Sequence, residues 1–104
     1  MFKFVVIYYR VDDENALEEF FADTHRALAE QLPGLRRFEV SRITSQPTGK
    51  SRFHLMVETY FDNKAAWLQA QLSEPAVAMM NALKPWADER LITWFYAESF
   101  GEDR

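Results

Sequence analysis

FKFVVIYY, residues 2–9, is dense in β-branched and aromatic side chains and gives way to Asp12-Asp13-Glu14-Asn15, so it reads as a β-strand. With side chains alternating between faces, Phe2, Phe4, Val6 and Tyr8 point one way and Val5, Ile7 and Tyr9 the other. RLITWFYAESF (residues 90–100) behaves similarly, with Leu91 and Phe95 opposed to Ile92, Trp94 and Tyr96. Strands that are apolar front and back are expected to be covered front and back.

The chain between these strands supplies cover for one face. The acidic run suits a helix start, where carboxylates meet the positive end of the dipole. Leu17, Phe20, Phe21, Thr24, Leu28 and Leu32 recur at helical spacing, and Pro33-Gly34 stops the helix. Two strands follow, LRRFEVSRIT (35–44) and SRFHLMVETYF (51–61), joined by the turn-like SQPTGK. Asp62 or Asn63 can cap a second helix through Trp67 and Leu72. Ser73 can cap a further one, with Pro75 in its first turn and Val77, Met80 and Leu83 on one side. The order βαββαβ predicts an α+β domain: a four-stranded antiparallel sheet with helices on one face. The opposite face would leave a large apolar patch wet, which predicts a second copy packed sheet to sheet, a two-fold homodimer.

Facing assignments in the central hairpin depend on its register. Phe38, Val40, Phe53, Leu55 and Val57 are expected on the helix face, and Glu39, Ser41, His54, Met56 and Glu58 on the other. A turn centred on Pro47-Thr48 places Ser41 opposite His54 and Arg37 opposite Glu58.

At 104 residues the chain has room for one core, and a single domain over residues 1–104 is expected. It is 48% hydrophobic and 15% aromatic, which excludes a disordered chain. A net charge of −4 without a basic cluster argues against nucleic acid as partner. No stretch approaches membrane-spanning length, and the N-terminal apolar run reads as a strand rather than a signal peptide, so a cytoplasmic protein is expected. The absence of cysteine excludes disulfides and thiolate metal sites. Three glycines form no phosphate-binding loop, and no serine sits in a nucleophile elbow.

FFADTHRALAEQLPGLRRFEV (residues 20–40) combines an aromatic pair, a histidine after a short gap, Leu-Pro-Gly-Leu and a strand. This combination resembles the EthD-like family, and the likeness extends to YYR (8–10), ETYFDNKAAW (58–67) and LSEP (72–75). Ala27 departs from the pattern, since that family often carries proline two residues after the histidine. The resemblance implies a ferredoxin-like protomer pairing as a dimeric α+β barrel. It also implies a role in degrading ethers and other xenobiotics, often beside an oxidative system. Similar fungal proteins act as cofactor-free decarboxylases or dehydratases on aromatic polyketides, and related barrels include haem-handling proteins.

On these grounds the expected ligand is a small apolar, aromatic or ether-containing molecule, and the expected chemistry is cofactor-free proton transfer without a metal, or a contribution to an oxidative catabolic route. His25 is the leading acid or base, because a neutral imidazole can accept and return a proton near neutral pH; beside Thr24 it should lie on the flank of the helix's apolar stripe. His54 and Glu58, two positions of like strand parity, are a second candidate catalytic pair; alternatively Glu58 pairs with Arg37 and His54 with Ser41. Tyr8, Tyr9, Trp67, Trp94 and Phe95 are candidate substrate-binding walls, though aromatics also simply fill cores. A non-catalytic sequestering protein, and a haem protein using His25 or His54, are the alternatives.

Overall fold

A computed structural model describes residues 1–103. Four antiparallel strands, β1 (Phe2–Tyr9), β2 (Arg37–Arg42), β3 (Phe53–Phe61) and β4 (Ile92–Glu98), form one sheet in the order β2-β3-β1-β4. With helical segments joining β1 to β2 and β3 to β4, this is the ferredoxin-like βαββαβ arrangement expected from the sequence.

The helices start where short polar side chains can satisfy free backbone N–H groups. Asp13 accepts from the Ala16 N–H at 3.0 Å and opens α1 (Glu14–Phe20). Asn63 does the same for Ala66 at 2.9 Å, opening α3 (Lys64–Ala70), and Ser73 for Ala76, opening α4 (Glu74–Asp88). Gly34, at φ 80°, turns the chain out of the first helical run into β2.

The first helical run is not uniform. After α1 the segment Phe21–Arg26 is π-helical, and a short α2 (Ala27–Ala29) completes the run. The buried residues Leu17, Phe21, His25 and Ala29 are spaced by four throughout. In an α-helix each four-residue step drifts about 40° around the axis. The wider π turn takes up that drift and keeps the four side chains aimed at the sheet. His25 is therefore at the centre of the buried stripe, not on the flank that the Phe20/Thr24 spacing suggested.

One continuous core lies between helices and sheet. Phe2, Phe4, Val6 and Tyr8 of β1, Leu55, Val57 and Phe61 of β3 and Ile92 of β4 meet Leu17, Phe21, Trp67, Ala76, Met79 and Leu83. In α4 the buried side is Ala76, Met79 and Leu83, with Met80 partly buried; Val77, expected inside, is 51% exposed. Val77 lies about 100° around the helix from Ala76, enough to carry it past the contact face.

The β2–β3 register differs from the expected one by two residues. Ser41 faces Met56 and Arg37 faces Tyr60, so neither the Ser41–His54 nor the Arg37–Glu58 pairing forms. A shift of two preserves the faces of Glu39, Ser41, Met56 and Glu58. His54 and Phe53 depart for another reason: the pairing jumps from Tyr8–Leu55 to Tyr9–Phe53, leaving His54 as the extra residue of a bulge. Phe53 consequently lies against Tyr9, with ring centroids 5.3 Å apart, outside the core cluster.

The helices leave the second sheet face uncovered within one chain. It carries Val5, Ile7, Met56 and Phe95, interspersed with Lys3, Glu39, Glu58 and Thr93. Val5 is already buried by its neighbours in the sheet, whereas Phe95 is 45% exposed. That face is thus more mixed than β1 alone suggested.

Candidate functional site

The π-helical turn and strand β1 bring together His25 and Tyr8. The Tyr8 hydroxyl lies 2.6 Å from His25 Nδ1, and both side chains are shut off from solvent. His25 Nε2 is also buried and has no hydrogen-bond partner among the described residues. Buried polar atoms are nearly always partnered, so such an atom needs an explanation.

Aromatic rings enclose the pair. Phe21 meets the His25 ring edge-on at 5.6 Å, while Trp86 and Phe20 approach Tyr8 at 5.5 and 6.5 Å. Phe20 and Trp86 stack on each other at 4.7 Å and are only partly buried, so they form the side of the enclosure nearest solvent. An apolar enclosure penalises charge: burial pushes the His25 imidazolium pKa down to about 3 and raises the Tyr8 phenol above its usual range. Both groups are neutral at physiological pH.

His54 and Glu58 are not brought together. The bulge turns His54 toward α1, where Nε2 meets Glu18 Oε1 at 3.0 Å and Nδ1 meets Arg10 at 3.3 Å. With Nδ1 accepting from Arg10 and Nε2–H donating to Glu18, a neutral ring is satisfied at both ends. Arg42 also holds Glu18, and this hydrogen bond, with a smaller contribution from His54, keeps the Glu18 carboxyl below its ordinary pKa. Arg10 reaches Glu14 and the carbonyls of Ile43 and Ser51, tying α1 to the β2–β3 hairpin. Glu58 lies on the other sheet face, paired with Lys3 and accepting from the Tyr60 hydroxyl. Its carboxylate raises the Lys3 pKa. Among the described residues, no group of three or more His, Asp or Glu side chains is placed to hold a metal ion.

The expected aromatic walls separate into four settings, the first being Tyr8 on His25. Trp67 is core, ringed by Phe4, Phe61 and Tyr96 at centroid distances of 5.1–5.6 Å. Trp94 and Phe95 line a cleft of about 280 Å³ with Phe4, Met80 and Tyr96, at the seam between α4 and the β4 edge. Tyr9 borders a more open cleft of about 400 Å³ with Arg52, Arg90 and Ile92. Phe4 and Tyr8 are four residues apart on β1, about 13 Å along the strand, so the apolar cleft and the Tyr8–His25 pair are distinct places. Read on an ideal α-helix, the sequence spacing does not identify Phe21 as the ring against His25, or Phe20 and Trp86 as the rings against Tyr8. The signal for Phe21 is the four-residue repeat Leu17, Phe21, His25 and Ala29, which drifts around an ideal α-helix; no local signal marks Phe20 or Trp86.

A ferredoxin-like sheet with one helical layer, and a neutral Tyr–His pair buried beneath it, defines the protein's class as a small α+β domain with an enclosed polar pair. Comparison with known proteins narrows this. An EthD family protein from Bacillus halodurans is 32% identical, with a TM-score of 0.87 over 96% of this chain and 99% of that one. The chain belongs to the EthD family. A DABB family protein with a ferredoxin-like fold from Mesorhizobium loti shares the fold at 16% identity, with a TM-score of 0.68 over 96% of this chain and 97% of that one. An uncharacterized 11.0 kDa protein of the thcB–thcC intergenic region of Rhodococcus erythropolis is 26% identical over 70 residues, 67% of this chain and 68% of its own. No protein-family model matches the chain. No helix among the described residues is long and apolar enough to cross a membrane.

Proposed function

We propose that this protein binds and transforms a small apolar molecule, aromatic or ether-containing, at the Tyr8–His25 pair, acting as a homodimer and without a cofactor. One observation carries the reading: a fully buried neutral histidine whose Nδ1 is engaged by Tyr8 and whose Nε2 has no partner among the described residues. Burial makes an unpaired polar atom expensive, and a ligand atom that meets it offsets the cost. The Phe20–Trp86 stack is the gate, and parting it admits an apolar ligand against Phe21. Inside, exclusion of water strengthens any contact made to the imidazole.

The dimer rests on Ile7, Met56 and Phe95 on the sheet face that the helices leave uncovered. A second copy laid against it shelters these side chains, and the twist of the two sheets suits a barrel. The haem alternative is narrowed to His25, since His54 is engaged at both ring nitrogens.

The second reading is non-catalytic sequestration in the α4–β4 cleft. It is favoured by a lining of Phe4, Met80, Trp94, Phe95 and Tyr96, which offers no carboxylate, imidazole or cation. Titration with a panel of phenols and aryl ethers, followed by turnover assays, separates the two. The His25 reading expects turnover abolished in His25→Ala with the Trp94→Ala protein still active. Binding without turnover, lost in Trp94→Ala and kept in His25→Ala, establishes the cleft reading and refutes the first.

A further inference from the structure

We infer that Tyr8 fixes His25 as an Nε2–H tautomer, so that the site presents a hydrogen-bond donor and selects a neutral ligand carrying an acceptor oxygen: a ketone, an ester or an ether. This deepens the proposed function and rests on it. The hydrogen bonding of the pair decides the matter. Among the described residues the Tyr8 hydroxyl has one partner, His25 Nδ1, and the His25 ring has one partner, the Tyr8 hydroxyl.

Two neutral arrangements fit the 2.6 Å contact. If the phenol donates to Nδ1, the imidazole proton sits on Nε2, and that N–H is the single donor left unpaired. If Nδ1–H donates to the phenol oxygen instead, the phenol proton has no acceptor and the Nε2 lone pair no donor. Each arrangement leaves one donor and one acceptor unpaired, but the first joins the more acidic donor, the phenol, to the more basic acceptor, the imidazole nitrogen, and leaves only the weakly basic phenol oxygen without a donor, so the first prevails. An imidazolium would add a buried charge in a wall of Phe20, Phe21 and Trp86.

The polarity of the enclosure then defines the ligand. An unpaired N–H calls for an acceptor, and the rings around it supply no cation to balance an anionic one. Arg26, the nearest cation in sequence, is 56% exposed and already bonded to Glu30 at 2.7 Å. His25 in this state does not accept a proton through Nε2. It polarises the ligand oxygen, and Tyr8 is a positioning residue that sets the tautomer.

Long-range ¹H–¹⁵N correlation spectra of histidine-labelled protein test the tautomer without any ligand, with His54→Gln used to assign the two rings. The expected pattern for His25 is a protonated Nε2 and a bare Nδ1, lost or mixed in Tyr8→Phe. A protonated Nδ1 in the wild type overturns the donor assignment. Acetophenone, anisole and ethylbenzene are then added in turn. The first two should move the Nε2–H resonance and bind about tenfold tighter than ethylbenzene, the worth of one hydrogen bond. In His25→Phe that preference should fall to within about twofold. Equal resonance changes with all three probes overturn the acceptor selectivity alone. No change with any of them, in a protein with the expected tautomer, overturns the site itself.

Discussion

Replacing His25 by Gln should flatten the acid side of this protein's stability curve. Burial holds the His25 imidazole at a pKa of about 3, against an ordinary 6.5. Between those values the unfolded chain binds a proton that the folded chain refuses, so acidification favours unfolding. The contribution of neutral His25 is complete above pH 6.5 and is lost as pH falls toward 3. Inside that window each step of one in pH removes about 1.4 kcal/mol, so lowering pH from 7.5 to 4.5 should remove roughly 3 kcal/mol. That is a large share of the roughly 5–15 kcal/mol typical of a domain. Glu18, held low chiefly by Arg42, loses its own contribution in the same direction, but only as pH falls below the ordinary 4.5, and it does so in wild type and variant alike. Urea unfolding followed by tryptophan fluorescence at pH 7.5, 6.0 and 4.5, at one fixed protein concentration, measures the difference. The wild type should lose roughly 2–3 kcal/mol more than His25→Gln over this range. Parallel curves for wild type and His25→Gln would refute the buried neutral histidine and everything built on it.

Three other perturbations probe the architecture. Trp67→Ala empties the centre of the Phe2, Phe4, Phe61 and Tyr96 cluster and should cost about 3–5 kcal/mol by chemical denaturation; a cost below about 1 kcal/mol would show a wall that can collapse, as a pocket wall would. Asp13→Ala removes the cap on the Ala16 N–H and should cost about 1 kcal/mol, largely restored by Asp13→Asn. Ile7→Lys combined with Met56→Lys places two charges side by side on the uncovered sheet face; sedimentation should find the wild type dimeric and the variant monomeric with unchanged far-ultraviolet dichroism. A wild-type monomer at micromolar concentration would remove the dimer.

Much of this molecule is legible one residue at a time. The alternation in FKFVVIYY gives β1 at its observed bounds, and the acidic run, the Asp62-Asn63 pair and Ser73 mark the starts of α1, α3 and α4, with Asp13 and Asn63 chosen as caps by the structure. Leu-Pro-Gly turns the chain toward β2, and the aromatic pair, histidine and Leu-Pro-Gly-Leu together point to the family that the Bacillus halodurans relative establishes. These features are local: strand period, side-chain caps and turn residues act within a few positions of themselves.

The site is legible only in part, because its geometry comes from misfits between elements that are distant in the chain. The resemblance singles out His25, but a uniform α-helix would swing it to the flank; packing against β1 selects a π turn and buries it on Tyr8, seventeen residues away. Strand parity puts His54 on the same face as Glu58, but the bulge against Tyr8 and Tyr9 sends it to Glu18 on the helical side. Trp67 reads equally well as pocket or core until the rings around it are placed. The sequence by itself determines which elements form and which face of each is apolar, since those are properties of short-range periodicity. Tertiary structure alone decides where a turn widens or a strand bulges, since only contacts between elements can offset the local cost of leaving regular geometry.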